Sequence, residues 1–243
     1  MRICGNYVPL NAHLVGNSYP LPNIQDTLQR AAQGRYFAKI DLTKSFWQIP
    51  LAPESRPLTA FYGVRGLYEY TRVPFGLKVA PAIFQSTTDR VIKEFSTWAI
   101  PYVDDVAVIG ATYEECKERI TKLCEKLEAK KFTINYDKSV VEPQTQLEFL
   151  GHLICSGHVT IHPHHAETIC KLPIPETSAE LHSFLGFGNC FRRFIPRYAE
   201  LVAPLYKVLK REPYHLAAAE KESGYKRLSP RYHHYILSIA THH

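Results

Sequence analysis

The sequence predicts an α+β body reaching to about residue 172, followed by a smaller helical unit. Three observations carry that expectation. Short β-prone runs alternate with amphipathic helical stretches up to that point. After Pro173-Ile174-Pro175 the texture becomes helical. The chain also has the size and composition for a packed core, with 243 residues, 45% hydrophobic and 21% charged.

Pro9, Pro20 and Pro22 punctuate the first thirty residues, and Ile24, Leu28, Ala31 and Ala32 then follow helical spacing as far as Gly34. Tyr36 to Ile40 reads as a strand that stops at Asp41, and aromatic, β-prone sequence continues through Tyr70. Pro81 opens a helix whose apolar positions are Ile83, Phe84, Val91, Ile92 and Phe95. Two short strands, Ile100–Val103 and Val106–Ile109, flank Asp104-Asp105. Glu114 to Lys131 is amphipathic, with Cys116, Ile120, Leu123 and Leu127 on one face. Phe149 to His152 lies in another strand-like segment. Thr177 and Glu180 have capping-box spacing ahead of a stripe of Leu181, Phe184, Leu185 and Phe191, and a last helix covers about Ala199 to Lys210.

No run reaches the roughly 18 to 20 apolar residues that cross a bilayer, and residues 1–5 do not open a secretory signal. The expectation is a cytoplasmic protein with the nucleus accessible and no membrane partner. The net charge of +6 falls entirely from Gly188 onward. A basic end suits a polyanion, although a solvated helical face accounts for it equally well. Six cysteines show no C-x-x-C spacing and read as buried small hydrophobes. His162-Pro163-His164-His165 reads as surface rather than as a metal site.

The sharpest feature is Asp104-Asp105, two adjacent carboxylates where two apolar strands meet. Desolvation and mutual repulsion both oppose their ionisation there. Asn-Gly or Asp-Gly would serve a tight hairpin better. A divalent cation would relieve the strain, because hard Mg²⁺ prefers carboxylate oxygen and leaves positions for phosphate oxygens; a solvated turn with two charges is the alternative. Asp41 ends another strand-like run that can lie beside the hairpin. Three carboxylates around two ions about 3.5 to 4 Å apart form an in-line phosphoryl-transfer arrangement. These residues alone point to two-metal chemistry on a nucleic acid without separating synthesis from cleavage.

Tyr102-Val103-Asp104-Asp105 resembles the Y-x-D-D box of reverse transcriptases. Its surroundings resemble the polymerase of Ty3/Gypsy-type long-terminal-repeat retrotransposons, a retroviral-like part of a pol polyprotein. In family order stand Tyr19-Pro20-Leu21-Pro22, Lys39-Ile40-Asp41-Leu42, Trp47-Gln48-Ile49, Thr59-Ala60-Phe61, Pro74-Phe75-Gly76-Leu77-Lys78, Ala80-Pro81-Ala82-Ile83-Phe84-Gln85 and Phe149-Leu150-Gly151-His152. Glu180 to Gly186 and Phe191-Arg192-Arg193-Phe194-Ile195 resemble the segment after the palm, so the likeness covers roughly residues 2 to 211.

The resemblance implies a right-hand polymerase, with partial fingers and an antiparallel palm over residues 1–172, a helical thumb or connection-like segment over 173–211, and a divergent basic tail over 212–243. It implies RNA-directed DNA polymerase activity, a nucleotidyl transfer using two Mg²⁺ ions, with Mn²⁺ as a substitute. Its partners would be an RNA or DNA template-primer and deoxynucleoside triphosphates. Asp41, Asp104 and Asp105 match the metal-binding carboxylates, with the Leu42 carbonyl as an additional ligand. Lys138 matches a candidate proton donor to pyrophosphate, an exposed lysine being the plainer reading. Arg2 matches the triphosphate-binding arginine. Phe46 matches the aromatic gate against a ribose 2′-OH, or else packs in the core. Phe75 and Gly76 match the segment that packs on the nucleotide. Phe149-Leu150-Gly151 resembles the primer grip, or is an ordinary hairpin. Arg192 and Arg193 are expected phosphate contacts.

Ser45 stands where the family usually has glycine, and Leu58 where a basic residue usually precedes Thr-Ala-Phe. Arg2 falls directly after Met1, so most finger strands are missing from this sequence. No Asp follows Asp137, and no protease motif or zinc-binding integrase head occurs; those activities and ribonuclease H would belong to a parent polyprotein. The expectation is a fragment or degraded reading frame holding a polymerase centre. A catalytically weak or inactive remnant that only binds nucleic acid is the alternative, and a two-metal nuclease a weaker third.

Overall fold

The computed structural model describes residues 5–16, 19–161, 175–190, 192–195 and 197–209. They fall in two compact units, the first within Met1–Leu150 and Ile154–Val159, the second within Gly151–Leu153 and Thr160–His243. Arg2, the histidines at 162–165 and the tail at 212–243 lie outside the described residues.

In the first unit, α1 (Val8–His13) and α2 (Ile24–Ala31) precede β1 (Tyr36–Asp41). Two 3-10 segments, Ser45–Gln48 and Pro53–Thr59, lead to the short hairpin β2 (Phe61–Gly63) and β3 (Gly66–Tyr68). Then come α3 (Ala80–Val91), β4 (Ala99–Tyr102), β5 (Asp105–Gly110), α4 (Tyr113–Ala129), β6 (Val140–Gln144) and β7 (Gln146–Phe149). The main sheet has the order β4-β5-β1-β6, and β1 runs antiparallel to both neighbours. Continuous β structure through Tyr70 is not what forms. Pro53 and Pro57 withhold ladder donors, so 3-10 turns and only two three-residue strands occupy that stretch.

Strand alternation puts β1 between two cores. Ala38, Ile40 and Leu42 pack with Val106 and Val108 of β5, Phe84 of α3, and the α4 stripe Cys116, Ile120, Leu123 and Leu127. Phe37, Ala107 and Ile109 face the other way, onto Leu28 and Ala31 of α2. The α4 N-terminus is fixed because Thr112 Oγ1 accepts from Glu115 N at 3.2 Å and Glu115 Oε2 accepts from Ala111 N at 2.6 Å. Gly110 is required for the close approach: a Cβ there would lie 2.7 Å from Cys116 N. Cys116 and Cys155 are buried and Cys124 half-buried, all free thiols.

β8 (His152–Cys155) and β9 (His158–Ile161) complete a three-stranded sheet in the order β7-β8-β9. In the second unit, α5 (Ser178–Cys190) and α6 (Tyr198–Leu209) share a core of Leu181, Leu185, Ile195, Leu201, Val202, Leu205 and Val208. The capping box is formed: Glu180 N donates to Thr177 Oγ1 at 3.2 Å and Thr177 N donates to Glu180 Oε2 at 3.3 Å. Among the described residues no helix is long and apolar enough to cross a membrane.

Candidate active site

The β1–β5 register places Asp41 directly across from Asp105, and the β4–β5 register places Tyr102 across from Asp105. The hairpin turn is therefore Val103-Asp104, one residue earlier than the Asp104-Asp105 turn expected from the sequence. Asp105 is the first residue of β5, pinned by two cross-strand partners, while Asp104 is exposed at the tip.

This turn is strained. Val103 adopts φ 51°, a left-handed conformation costly for a β-branched residue, by roughly 1–3 kcal/mol. Two bonds hold it there. Gln85 of α3 is fully buried, and its Oε1 accepts from Val103 N at 2.7 Å. Its Nε2 donates to Asp89 Oδ1 at 3.0 Å and to Pro101 O at 3.3 Å. On the other side of the turn, Leu42 N donates to Asp104 O at 2.9 Å, which ties the tip to the end of β1.

Asp41 is clamped by the loop after α4. Asp41 N donates to Ser139 Oγ at 3.0 Å, Ser139 Oγ donates to Asn135 O at 2.7 Å, and Asn135 N donates to Asp41 O at 2.8 Å. Lys138 belongs to that same loop, exposed, with its N–H on Asn135 O at 3.2 Å. The Leu42 side chain is buried beneath the site.

Asp105 is a perturbed carboxylate. Burial pushes its carboxyl above the usual aspartate range; Lys39 opposes the rise, and the Asp104 and Asp41 charges add to it. Lys39 Nζ lies 3.7 Å from Asp105 Oδ1, beyond hydrogen-bond length, with both side chains mostly buried. Lys39 and Asp41 lie two apart on β1 and so share a face with Asp105. Among the described residues, no three acidic, histidine or cysteine side chains converge tightly enough to enclose one ion. The donor set nonetheless fits a divalent cation: hard, partly desolvated carboxylate oxygens that repel one another at one sheet edge.

Beside this edge lies an aromatic cluster. Phe46, in the 3-10 turn after β1, packs against Phe75 at 5.3 Å and Phe84 at 6.0 Å between ring centroids, and Phe75 also meets Trp47 at 5.6 Å. Ser45, where glycine was the expected residue, is buried, and the left-handed conformation falls on Lys44 instead, with φ 53°. Gly76 has φ 96°, where a side chain would be strained. Asn11 braces that turn: its Nδ2 donates to Gly76 O at 2.8 Å, and its Oδ1 accepts from Lys78 N at 2.9 Å.

Phe149 is fully buried at the end of β7, and Leu150-Gly151 form a two-residue turn with φ 51° and 72°. Arg192 and Arg193 are exposed in a 3-10 turn of the second unit. Gln85, Asn11, Ser139 and Lys39 are the supporting residues that sequence reasoning missed. All but Asn11 and Ser139 stand inside motifs quoted above, yet a buried polar side chain carries no periodic signal that marks it as buried.

Residues 3–154 match the family described as reverse transcriptase (RNA-dependent DNA polymerase). The chain is 34% identical over 205 residues to the retrovirus-related Pol polyprotein from transposon opus of Drosophila melanogaster, a match covering 84% of this chain and 20% of that protein. It is likewise 34% identical over 210 residues to the enzymatic polyprotein of Cauliflower mosaic virus strain Strasbourg, covering 86% of this chain and 31% of the relative. The fold is similar to that of a foamy viral protease-reverse transcriptase solved with double-stranded DNA, with TM-score 0.88 at 24% identity, covering 96% of this chain and 41% of that one. The chain spans about a fifth of the length of the transposon polyproteins it matches. The fold is thus that of a polymerase, and the chain belongs to the reverse transcriptase (RNA-dependent DNA polymerase) family.

Proposed function

We propose that this chain is the polymerase centre of a Ty3/Gypsy-type retrotransposon pol polyprotein, extending a DNA primer on an RNA or DNA template. The observation that carries the proposal is the register pairing Asp41 with Asp105 while Asp104 occupies the adjoining tip. Asp41, Asp104, Asp105 and the Leu42 carbonyl would hold the divalent ions, Mg²⁺ with Mn²⁺ as a substitute. Bound there, the ions would lower the barrier to attack on the α-phosphate and neutralise the departing pyrophosphate.

The chain's own residues do the rest. Gln85 and Leu42 N–H fix the tip that presents Asp104. Ser139 and Asn135 hold the Asp41 backbone, and Lys138, exposed in the same loop, would donate a proton to the leaving group. The Phe46 ring, braced by Phe75 and Phe84, would exclude a ribose 2′-OH and so select deoxynucleoside triphosphates. Gly76 permits close approach of backbone to the nucleotide, and Arg2 would meet its triphosphate. Phe149, Leu150 and Gly151 would aim the primer end, and Arg192 and Arg193 would contact backbone phosphate. The fingers and palm are assigned to residues 1–172, the thumb-like segment to 173–211 and a basic tail to 212–243. Protease, ribonuclease H and integrase would reside elsewhere in the polyprotein.

Primer extension with Mg²⁺ tests this reading. Asp104→Asn should reduce synthesis by about a hundredfold or more, the scale of a lost metal ligand. A second reading, nucleic-acid binding without synthesis, is favoured by the Lys39–Asp105 pairing and the loose spacing of the carboxylates. Salt-sensitive binding with no extension by the wild type would establish it, and degradation of the template would point to a nuclease.

A further inference from the structure

Apart from the carboxylate edge, the first unit holds a cavity of about 340 Å³ lined by Thr43, Lys44, Trp47, Arg72, Lys131 and Thr133, together with Gln48. Three of these side chains are cationic, and among the described residues none of the lining groups is acidic. The described ion pairs give none of the three cations a carboxylate partner. Lys44 Nζ instead stands 5.7 Å from the centre of the Trp47 ring, and Arg72 spends one of its five N–H donors on Gln48 O at 2.9 Å. The indole N–H of Trp47 is itself buried without an acceptor.

The cavity is held open by a specific fastening. Gln48 Nε2 donates to Thr43 O at 2.5 Å and Thr133 O at 3.1 Å, while Gln48 Oε1 accepts from Thr133 N at 2.9 Å. One amide thereby staples the segment carrying Lys44 to the segment carrying Lys131. Both lysines adopt left-handed backbone conformations, with φ 53° and 64°. Three like charges gathered around one fixed cavity repel one another, and a multiply charged anion removes that repulsion. Arg72 supplies planar donors, the lysines point charges, and the two threonines hydroxyls, a set suited to phosphate oxygens.

We propose that this cavity is a phosphate-binding site, separate from the residues assigned above to the nucleotide and to the metal ions. Its ligand is a phosphate-bearing anion, either free pyrophosphate or the backbone phosphate of a nucleic-acid strand. The site needs neither metal nor polymerisation, so it stands or falls apart from the activity proposed above.

The full chain with Trp98→Phe, which leaves Trp47 as its single tryptophan, provides the reporter. Indole fluorescence is titrated with inorganic pyrophosphate, and separately with a short single-stranded oligonucleotide, in low-salt buffer containing chelator. The expected result is saturable quenching by at least one ligand, weakened about tenfold or more by Arg72→Gln and by Lys131→Asn, the loss of one charge-assisted bond. Asparagine tolerates the left-handed backbone at 131, and Lys131→Arg should restore binding; both variants should keep the wild-type thermal midpoint within a few degrees. Quenching by pyrophosphate alone assigns the site to a free anion, and quenching by the oligonucleotide assigns it to a strand. No saturation by either ligand, or binding that both charge-removing variants leave intact, overturns the proposal.

Discussion

Asp105 sits where three effects compete: burial and two neighbouring carboxylates push its pKa up, and Lys39 pulls it down without prevailing. Protonation therefore favours the folded state. The stability this contributes is complete below the ordinary value of 3.8 and is lost as pH rises through the elevated value. In chelator, Asp105→Asn should match the wild type at about pH 3 and exceed it in stability at neutral pH, read from denaturant midpoints across pH. A constant difference at all pH values would refute this. Gln85→Leu keeps the volume but strands Val103 N, and should cost about 1–3 kcal/mol in the same measurement. Phe46→Ala should let ribonucleotides be incorporated in single-nucleotide extension, whereas a ring that serves only packing would lower stability and leave sugar selection alone.

At the scale of elements, β1 and the β4–β5 hairpin were legible because apolar runs ending at Asp41 and flanking Asp104-Asp105 have few other readings. The α4 stripe was legible from its 3.6-residue period, and its boundaries moved by only one or two residues. The turn at Val103-Asp104 was not legible, since valine is a poor residue for positive φ and the bonds from Gln85 and Leu42 N that hold it join residues distant in sequence. The β-prone stretch before Phe61 was overread because Pro53 and Pro57 withhold ladder donors, whereas Phe61 and Tyr68, stacked at 5.8 Å, do pair across β2 and β3. Helix α3 is the buttress shared by the hairpin and the aromatic cluster, through Gln85 and Phe84. Phe84→Ala should destabilise the first unit by about 3–5 kcal/mol, and calorimetry of the full chain would detect it.

Over the whole molecule, charge is divided unevenly. The carboxylates carrying the proposed chemistry lie in the first unit, and the net positive excess lies from Gly188 onward. Exposed Arg192 and Arg193 are part of that excess, and cations of this kind steer a strand by long-range attraction. Replacing both with alanine should lower the slope of log affinity against log salt by roughly 1.8 for duplex DNA, read by fluorescence anisotropy. The central claim is that Asp41, Asp104 and Asp105 act as one divalent-ion centre, although they come from separate stretches of chain. Manganese titration followed by electron paramagnetic resonance, with primer-template and a nucleotide present, tests it most directly. The wild type should bind the ion saturably, and Asp41→Asn and Asp104→Asn should each abolish that binding. Binding that survives Asp41→Asn unchanged would show that the pairing across β1 and β5 does not build the centre.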